Sequence, residues 1–90
     1  MLLVSYDISN NKLRTRFSKF LEKFGYRLQF SVFEIKNSKR VLENVIAEIE
    51  AKYSRKFEQG DSIIIFHLSQ QCKKYCYGYA ANDSDFMLVE

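Results

Sequence analysis

Gly25-Tyr26-Arg27-Leu28-Gln29-Phe30-Ser31-Val32-Phe33-Glu34-Ile35 is the stretch that decides the fold. Tyr26 to Gln29 and Val32 to Ile35 each alternate in the way of half-buried strands, whose side chains point to opposite faces with a period of two. Phe30-Ser31 is the bend between them, so the two strands form a hairpin. Phe30 and Phe33 fall differently in that alternation. That leaves room for one to face outward and stack on a nucleic-acid base while the other packs inward; ordinary core or interface roles for both are the better reading.

Upstream of the hairpin, Leu13, Phe17, Phe20, Leu21 and Phe24 recur at helical spacing from Lys12 onward. Gly25 is expected to stop that helix as a left-handed residue. Lys12, Arg14, Arg16, Lys19 and Lys23 interleave with the apolar positions, which gives the helix a basic flank beside its buried stripe. Further back, Leu2-Leu3-Val4-Ser5-Tyr6 reads as a short buried strand ending near Asp7, and Asp7-Ile8-Ser9-Asn10-Asn11 as a strand-to-helix loop with capping chemistry. Downstream, Asn37-Ser38 caps a second helix whose stripe is Val41, Leu42, Val45, Ile46, Ile49 and Tyr53. Gly60-Asp61 breaks that pattern before Ser62-Ile63-Ile64-Ile65-Phe66-His67-Leu68, a strand apolar enough to expect buried in the sheet. The tail, with Tyr75, Tyr77 and Tyr79 in alternation and then Phe86-Met87-Leu88-Val89, suits one or two edge strands.

Strand, helix, strand, strand, helix, strand is the split βαβ order, and right-handed crossovers place strands one and three in the middle with both helices on one face. The expected architecture is therefore α+β, a ferredoxin-like βαββαβ sandwich with an extra C-terminal edge strand. Residues 1–90 are expected to form a single domain, because a chain of this length holds one core and no second, and the tail from about residue 80 is expected to face a partner or a second copy. Apolar residues make up 47% of the chain, with eight Phe and six Tyr, which excludes a disordered segment. No unbroken apolar run is longer than that of Ile63 to Phe66, four residues, far below the roughly 20 needed to cross a bilayer. With no basic leader ahead of Asp7, a cytoplasmic location is expected, in which Cys72 and Cys76 stay as free thiols.

Charge is unevenly spread. Up to Arg40 there are nine Lys or Arg against three acidic residues, and from Val41 five basic against eight acidic, so the two parts carry +6 and −3. Local potential is what attracts a polyanion, so the first part is the expected binding surface. Lys12, Arg14, Arg16, Lys19, Lys23 and Arg27 together make contact with phosphates the better reading, although any one of them alone is more simply a solvated helical face.

Asp7, beyond the end of a central strand, is placed to hold magnesium, a hard cation that takes one or two carboxylates and keeps several waters. The competing reading is a loop aspartate that helps start the helix. An isologous dimer would bring two copies of Asp7 together and turn a poor single ligand into a pair. Asp7, Ser31 and Asp61 are expected along one rim of the sheet. Cys72 and Cys76, even with His67, give three ligands where a structural zinc wants four. His67 reads as structural. Gly25, Gly60 and Gly78 are too scattered for a phosphate-cradling loop.

Tyr6-Asp7-Ile8 closing the first strand, the basic helix with Arg14 and Arg16, and the run from Gly25 to Glu34 together resemble the CRISPR-associated protein two family. The resemblance extends over essentially the whole chain, including Gly60-Asp61-Ser62 before the fourth strand. It implies a ferredoxin-like homodimer acting as a magnesium-dependent endonuclease of RNA or DNA, partnered with CRISPR-associated protein one in spacer integration. Position by position it implies Asp7 as the metal aspartate, and Tyr6, Arg14, Arg16, Arg27 and Phe33 as residues of the nuclease activity. After Leu68 the chain departs from the pattern, and Phe86 to Glu90 would supply the partner-facing edge strand. The poverty of acid and base groups besides Asp7 keeps a rival open, a non-catalytic DNA-binding scaffold for the integrase. An RNA-recognition module would need glycines that Ser31-Val32-Phe33-Glu34-Ile35 lacks, and a small-molecule regulatory domain would not need the concentrated basic charge.

Overall fold

In the six-residue strand β1 (Leu2–Asp7), Leu2, Val4 and Tyr6 are buried while Leu3 and Ser5 are only half-buried and Asp7 is exposed. That alternation orients the molecule, since the buried set faces the helices and the other set an uncovered sheet surface. The computed structural model describes residues 1–69, 71–73, 75 and 77. After β1 come α1 (Asn11–Glu22), β2 (Gly25–Gln29), β3 (Val32–Ile35), α2 (Lys39–Glu48) and β4 (Ser62–His67). The strand order is β2-β3-β1-β4, every neighbouring pair antiparallel. This is the ferredoxin-like α+β arrangement, with β1 and β3 central. The expected C-terminal edge strand and the tail from about residue 80 lie outside the described residues.

Both helices start where the capping chemistry places them. The Asn10 side chain accepts from the Leu13 amide at 2.9 Å, and Ser38 Oγ from the Val41 amide at 3.4 Å. Each cap satisfies an amide that has no partner inside the helix. Asn10 rather than Asp7 therefore starts α1. The apolar stripe of α1 buries Leu13, Phe17 and Leu21 against Val4, Phe33 and Ile35 of the sheet and Val45 of α2 in one core cluster. Aromatic rings knit this core: Tyr6 and Tyr53 stand edge-on to Phe17, with centroids 5.2 and 4.9 Å away. Such pairs add about 0.5–1.5 kcal/mol each beyond the area they bury.

Three expectations need correction. Gly25 does not end α1 in a left-handed conformation; it opens β2 opposite Ile35, and among the described residues only Gly60 has positive φ, at 93°. Gly25 is required by close approach instead, because a Cβ there would lie 1.9 Å from the Glu34 carbonyl oxygen. The second helix does not run evenly to Tyr53, since α2 stops at Glu48 and the chain continues as a π-helical turn (Ile49–Tyr53) and a 3-10 turn (Ser54–Lys56). And β4 is not buried: it lies at an edge of the sheet, with Ile63 and Ile65 packed against the core but Ile64 and Phe66 51% and 45% exposed. Its apolar character serves two faces, only one of which is covered by this chain's described residues.

Candidate functional site

The rim where β1 ends and β3 and β4 begin collects the residues on which the chemistry was expected. The Tyr6 amide donates to the Ser31 carbonyl at 3.0 Å, and Asp7 sits opposite Ser62. Asp61 bridges the loop after β1 to the entry of β4: its Oδ1 accepts from the Ser9 amide at 3.0 Å and its Oδ2 from the Glu58 amide at 2.9 Å. The Ser9 hydroxyl lies 3.0 Å from both Glu58 Oε2 and Asp61 Oδ1. The amides of Glu58 and Ser9 hold the Asp61 carboxyl below the usual carboxylate range. Asp61 is thus committed to fastening the rim. The Asp7 carboxylate has no hydrogen bond or ion pair among the described residues and points with Leu3 and Ser5 to the uncovered face. Beside it on that face stand Val32 and Ile64, flanking Ser5, and Glu34 and Phe66, flanking Leu3.

The other residues implied for the activity lie on the opposite, helical side of the sheet. Tyr6, Arg14 and Arg27 converge on a concavity of about 370 Å³ that Lys19, Glu22 and Phe30 also line. Arg14 donates through Nη1 to the Ile8 carbonyl at 2.9 Å and through Nη2 to Asn11 Oδ1. The Arg27 guanidinium carbon lies 5.1 Å from the Phe33 ring centroid, a cation–π contact, and its Nη1 donates to the Phe30 carbonyl at 2.6 Å. The same carbonyl accepts from the Tyr6 hydroxyl at 3.4 Å. Burial pushes the Tyr6 phenol above its ordinary pKa, partly offset by the nearby charges of Arg27 and Arg14, so the hydroxyl remains a donor at neutral pH. Phe33 is wholly buried and supports Arg27 from below.

Arg16 belongs elsewhere. With Lys19 and Lys23 it borders a groove of about 510 Å³ between α1 and the turns that extend α2, floored by Leu13, Phe20 and Tyr53. Lys52, Arg55 and Lys56 form the other bank, and the one carboxylate there, Glu48, is paired with Lys52 at 3.3 Å. Lys12 lies nearby beside Asn11, Thr15 and Arg16. The basic tract therefore draws three cations from the part of the chain with net negative charge. The sequence signal for them was the continuation of the stripe through Ile49 and Tyr53, which sets Lys52 and Lys56 one turn apart on a shared flank. Summing charge over half the chain concealed it. The structure brings Tyr6, Arg14 and Arg27 together over Phe33 and separates them from Asp7 by the thickness of the sheet and from Arg16 by the breadth of α1.

No group of three or more His, Cys, Asp or Glu side chains forms a metal cluster among the described residues. Cys72 is exposed and within 3.5 Å of Ser69 Oγ; Cys76 lies outside the described residues. Among the described residues no helix is long and apolar enough to cross a membrane.

Known proteins resemble this arrangement. A CRISPR-associated endoribonuclease Cas2 of Archaeoglobus fulgidus is 41% identical over 73 residues, covering 78% of this chain and 72% of that protein. One from Mycobacterium tuberculosis is 45% identical over 49 residues, covering 54% of this chain but only 43% of the relative, so the match spans less than half of that protein's length. The crystal structure of Streptococcus pyogenes Cas2 superposes with a TM-score of 0.65 at 24% identity, over 78% of this chain and 87% of that one, a likeness of fold. The model of the family described as CRISPR associated protein Cas2 matches residues 1–75. On that match, and on the Archaeoglobus relative, this chain belongs to the CRISPR-associated Cas2 family.

Proposed function

We propose that the protein is a nucleic-acid-binding homodimer of CRISPR adaptation with metal-dependent endonuclease activity on RNA or DNA. The observation that carries this reading is Asp7, a carboxylate without a partner among the described residues, on the uncovered sheet face at the rim where the basic helix α1 begins. The names of the relatives, endoribonucleases, support nuclease chemistry. Two copies joined through their uncovered faces, with the two-fold axis passing near this rim, would bring the two Asp7 residues together.

The donor set fits magnesium modestly. Asp61 is engaged by amides and Glu58 by Ser9, so Asp7 alone offers a free carboxylate at the rim, one ligand per chain, and magnesium accepts one or two carboxylates with waters completing its shell. When bound, such an ion neutralises charge growing on a scissile phosphate and acidifies its water. The remaining work falls to this chain's cations. Arg16, Lys19 and Lys23 with Lys52, Arg55 and Lys56 hold backbone phosphates along the helical face, and Arg14 and Arg27 hold them at the hairpin. Such contacts position the strand without reading its sequence. The partner in this reading is the integrase subunit, CRISPR-associated protein one.

The test is cleavage of single-stranded RNA and of duplex DNA, with magnesium or with chelator, by the parent and by Asp7→Asn. Cutting by the parent that is lost in both chelator and variant, with oligonucleotide affinity unchanged, is the expected result. A parent that binds duplex tightly and salt-sensitively but never cuts establishes the scaffold reading, which the shortage of acid–base groups at the rim favours.

A further inference from the structure

Phe30 occupies the tip of the β2–β3 hairpin with its ring 75% exposed, the most exposed large apolar side chain among the described residues. A single exposed ring is ordinary on a protein surface. This one is held. Its carbonyl accepts from Tyr6 of the central strand at 3.4 Å and from Arg27 of β2 at 2.6 Å, and the carbonyl of the next residue, Ser31, accepts from the Tyr6 amide at 3.0 Å. Three bonds thus fasten two consecutive residues of a turn that has no Pro to stiffen it. The Arg27 that grips the turn is itself seated over the buried Phe33 ring.

The ring also lines the 370 Å³ concavity, where Arg14, Lys19 and Arg27 outweigh the one carboxylate, Glu22, and Thr15 and Ser18 line the wall. A solvent-facing aromatic ring on a fastened turn, beside a largely cationic hollow, is the composition that recognises an unpaired nucleotide, the base on the ring and the phosphate among the cations. A paired base offers no free face to such a ring except at a duplex end. We propose that Phe30 is a base-stacking platform at the hairpin tip, the residue of this chain that contacts an unpaired base, and that Tyr6 and Arg27 are positioning residues acting through the Phe30 carbonyl. The proposal rests on the nucleic-acid reading above and adds to it the side chain that meets the base.

The experiment is fluorescence anisotropy with a labelled single-stranded oligonucleotide, the same strand in a hairpin-capped duplex with no free ends, and the single strand with abasic sites, at one fixed salt concentration. Phe30→Ala should weaken the single strand roughly tenfold, about the loss of one base–aromatic stack, and leave the capped duplex within about twofold. Phe30→Trp should retain single-strand affinity, and on the abasic strand the parent and Phe30→Ala should converge. Tyr6→Phe, which removes the hydroxyl and keeps the ring, should lower single-strand affinity less than Phe30→Ala and add nothing to it in the double variant. Unchanged single-strand binding by Phe30→Ala overturns the stacking role, as does equal weakening on strand and duplex. A fall in sedimentation coefficient with Phe30→Ala overturns it in favour of a contact between proteins. If the parent binds none of the oligonucleotides, the nucleic-acid reading itself fails; if it binds and Phe30→Ala does not differ, only the platform fails.

Discussion

Phe30 and Phe33 stand three residues apart and take opposite roles, one ring 75% exposed and the other wholly buried. Alternation across the hairpin allowed them to differ but could not say which faced out, because the register shift between Arg27 and Gln29 resets the pleat just before the turn. Phe33 opposes Val4 on β1 and carries Arg27, so its loss opens a cavity beneath a cation. Phe33→Ala should cost about 3–5 kcal/mol of stability, read as a lower urea midpoint with unchanged slope. Any activity lost in that variant should return in proportion to the folded fraction, whereas activity lost at Asp7 should not. Gly25 teaches a similar lesson about legibility. Its presence after an amphipathic stripe reads as a stop signal, yet its need arises from a carbonyl on the neighbouring strand, a long-range contact that no local pattern encodes.

Elements were more legible than residues where their chemistry is local. The hairpin, both helix caps and the entry to β4 are spelled by short-range signals, and they stand within a residue or two of where alternation and capping put them. The groove between α1 and the extension of α2 was not legible, because it depends on two segments some 30 residues apart meeting across the aromatic core. Phe20 and Tyr53 make that meeting, with centroids 5.9 Å apart. It sets Lys52, Arg55 and Lys56 opposite Arg16, Lys19 and Lys23, all exposed. Replacing the three later cations together by Gln should change stability by no more than about 0.5 kcal/mol for each position, as at exposed sites generally. In duplex binding, the slope of log affinity against log salt should fall by up to roughly 2.7, about 0.9 for each phosphate no longer neutralised. A slope unchanged in the triple variant would show that nucleic acid contacts the first-half cations alone.

At the scale of the whole molecule the sheet has one face covered by helices and one that the described residues leave bare. Leu3, Val32, Ile64 and Phe66 share the bare face in adjacent register, with Ser5 among them and Asp7 at its end. Hydrophobicity in β4 reads from sequence as burial, yet at Ile64 and Phe66 it falls on the face that the described residues leave open. A 90-residue domain buries only about 60–65% of its unfolded surface, so covering this face with another copy would add stability that the single core lacks. A standard interface needs about 800 Å² from each partner, a patch of roughly 20–30 residues, so the described apolar cluster would form the centre of a larger contact. Ile64, 51% exposed in the middle of β4, is the position to test. Ile64→Lys leaves β4 paired to β1 and places an unmatched charge where two copies would meet, so the variant should sediment as a folded monomer at micromolar concentration while the parent sediments as a dimer. Because each chain offers one free carboxylate at the rim, the monomer should lose cleavage as completely as Asp7→Asn does, yet keep the binding that depends on the outward helical face. A variant that remains dimeric would place the contact elsewhere and leave the two Asp7 residues without a shared axis.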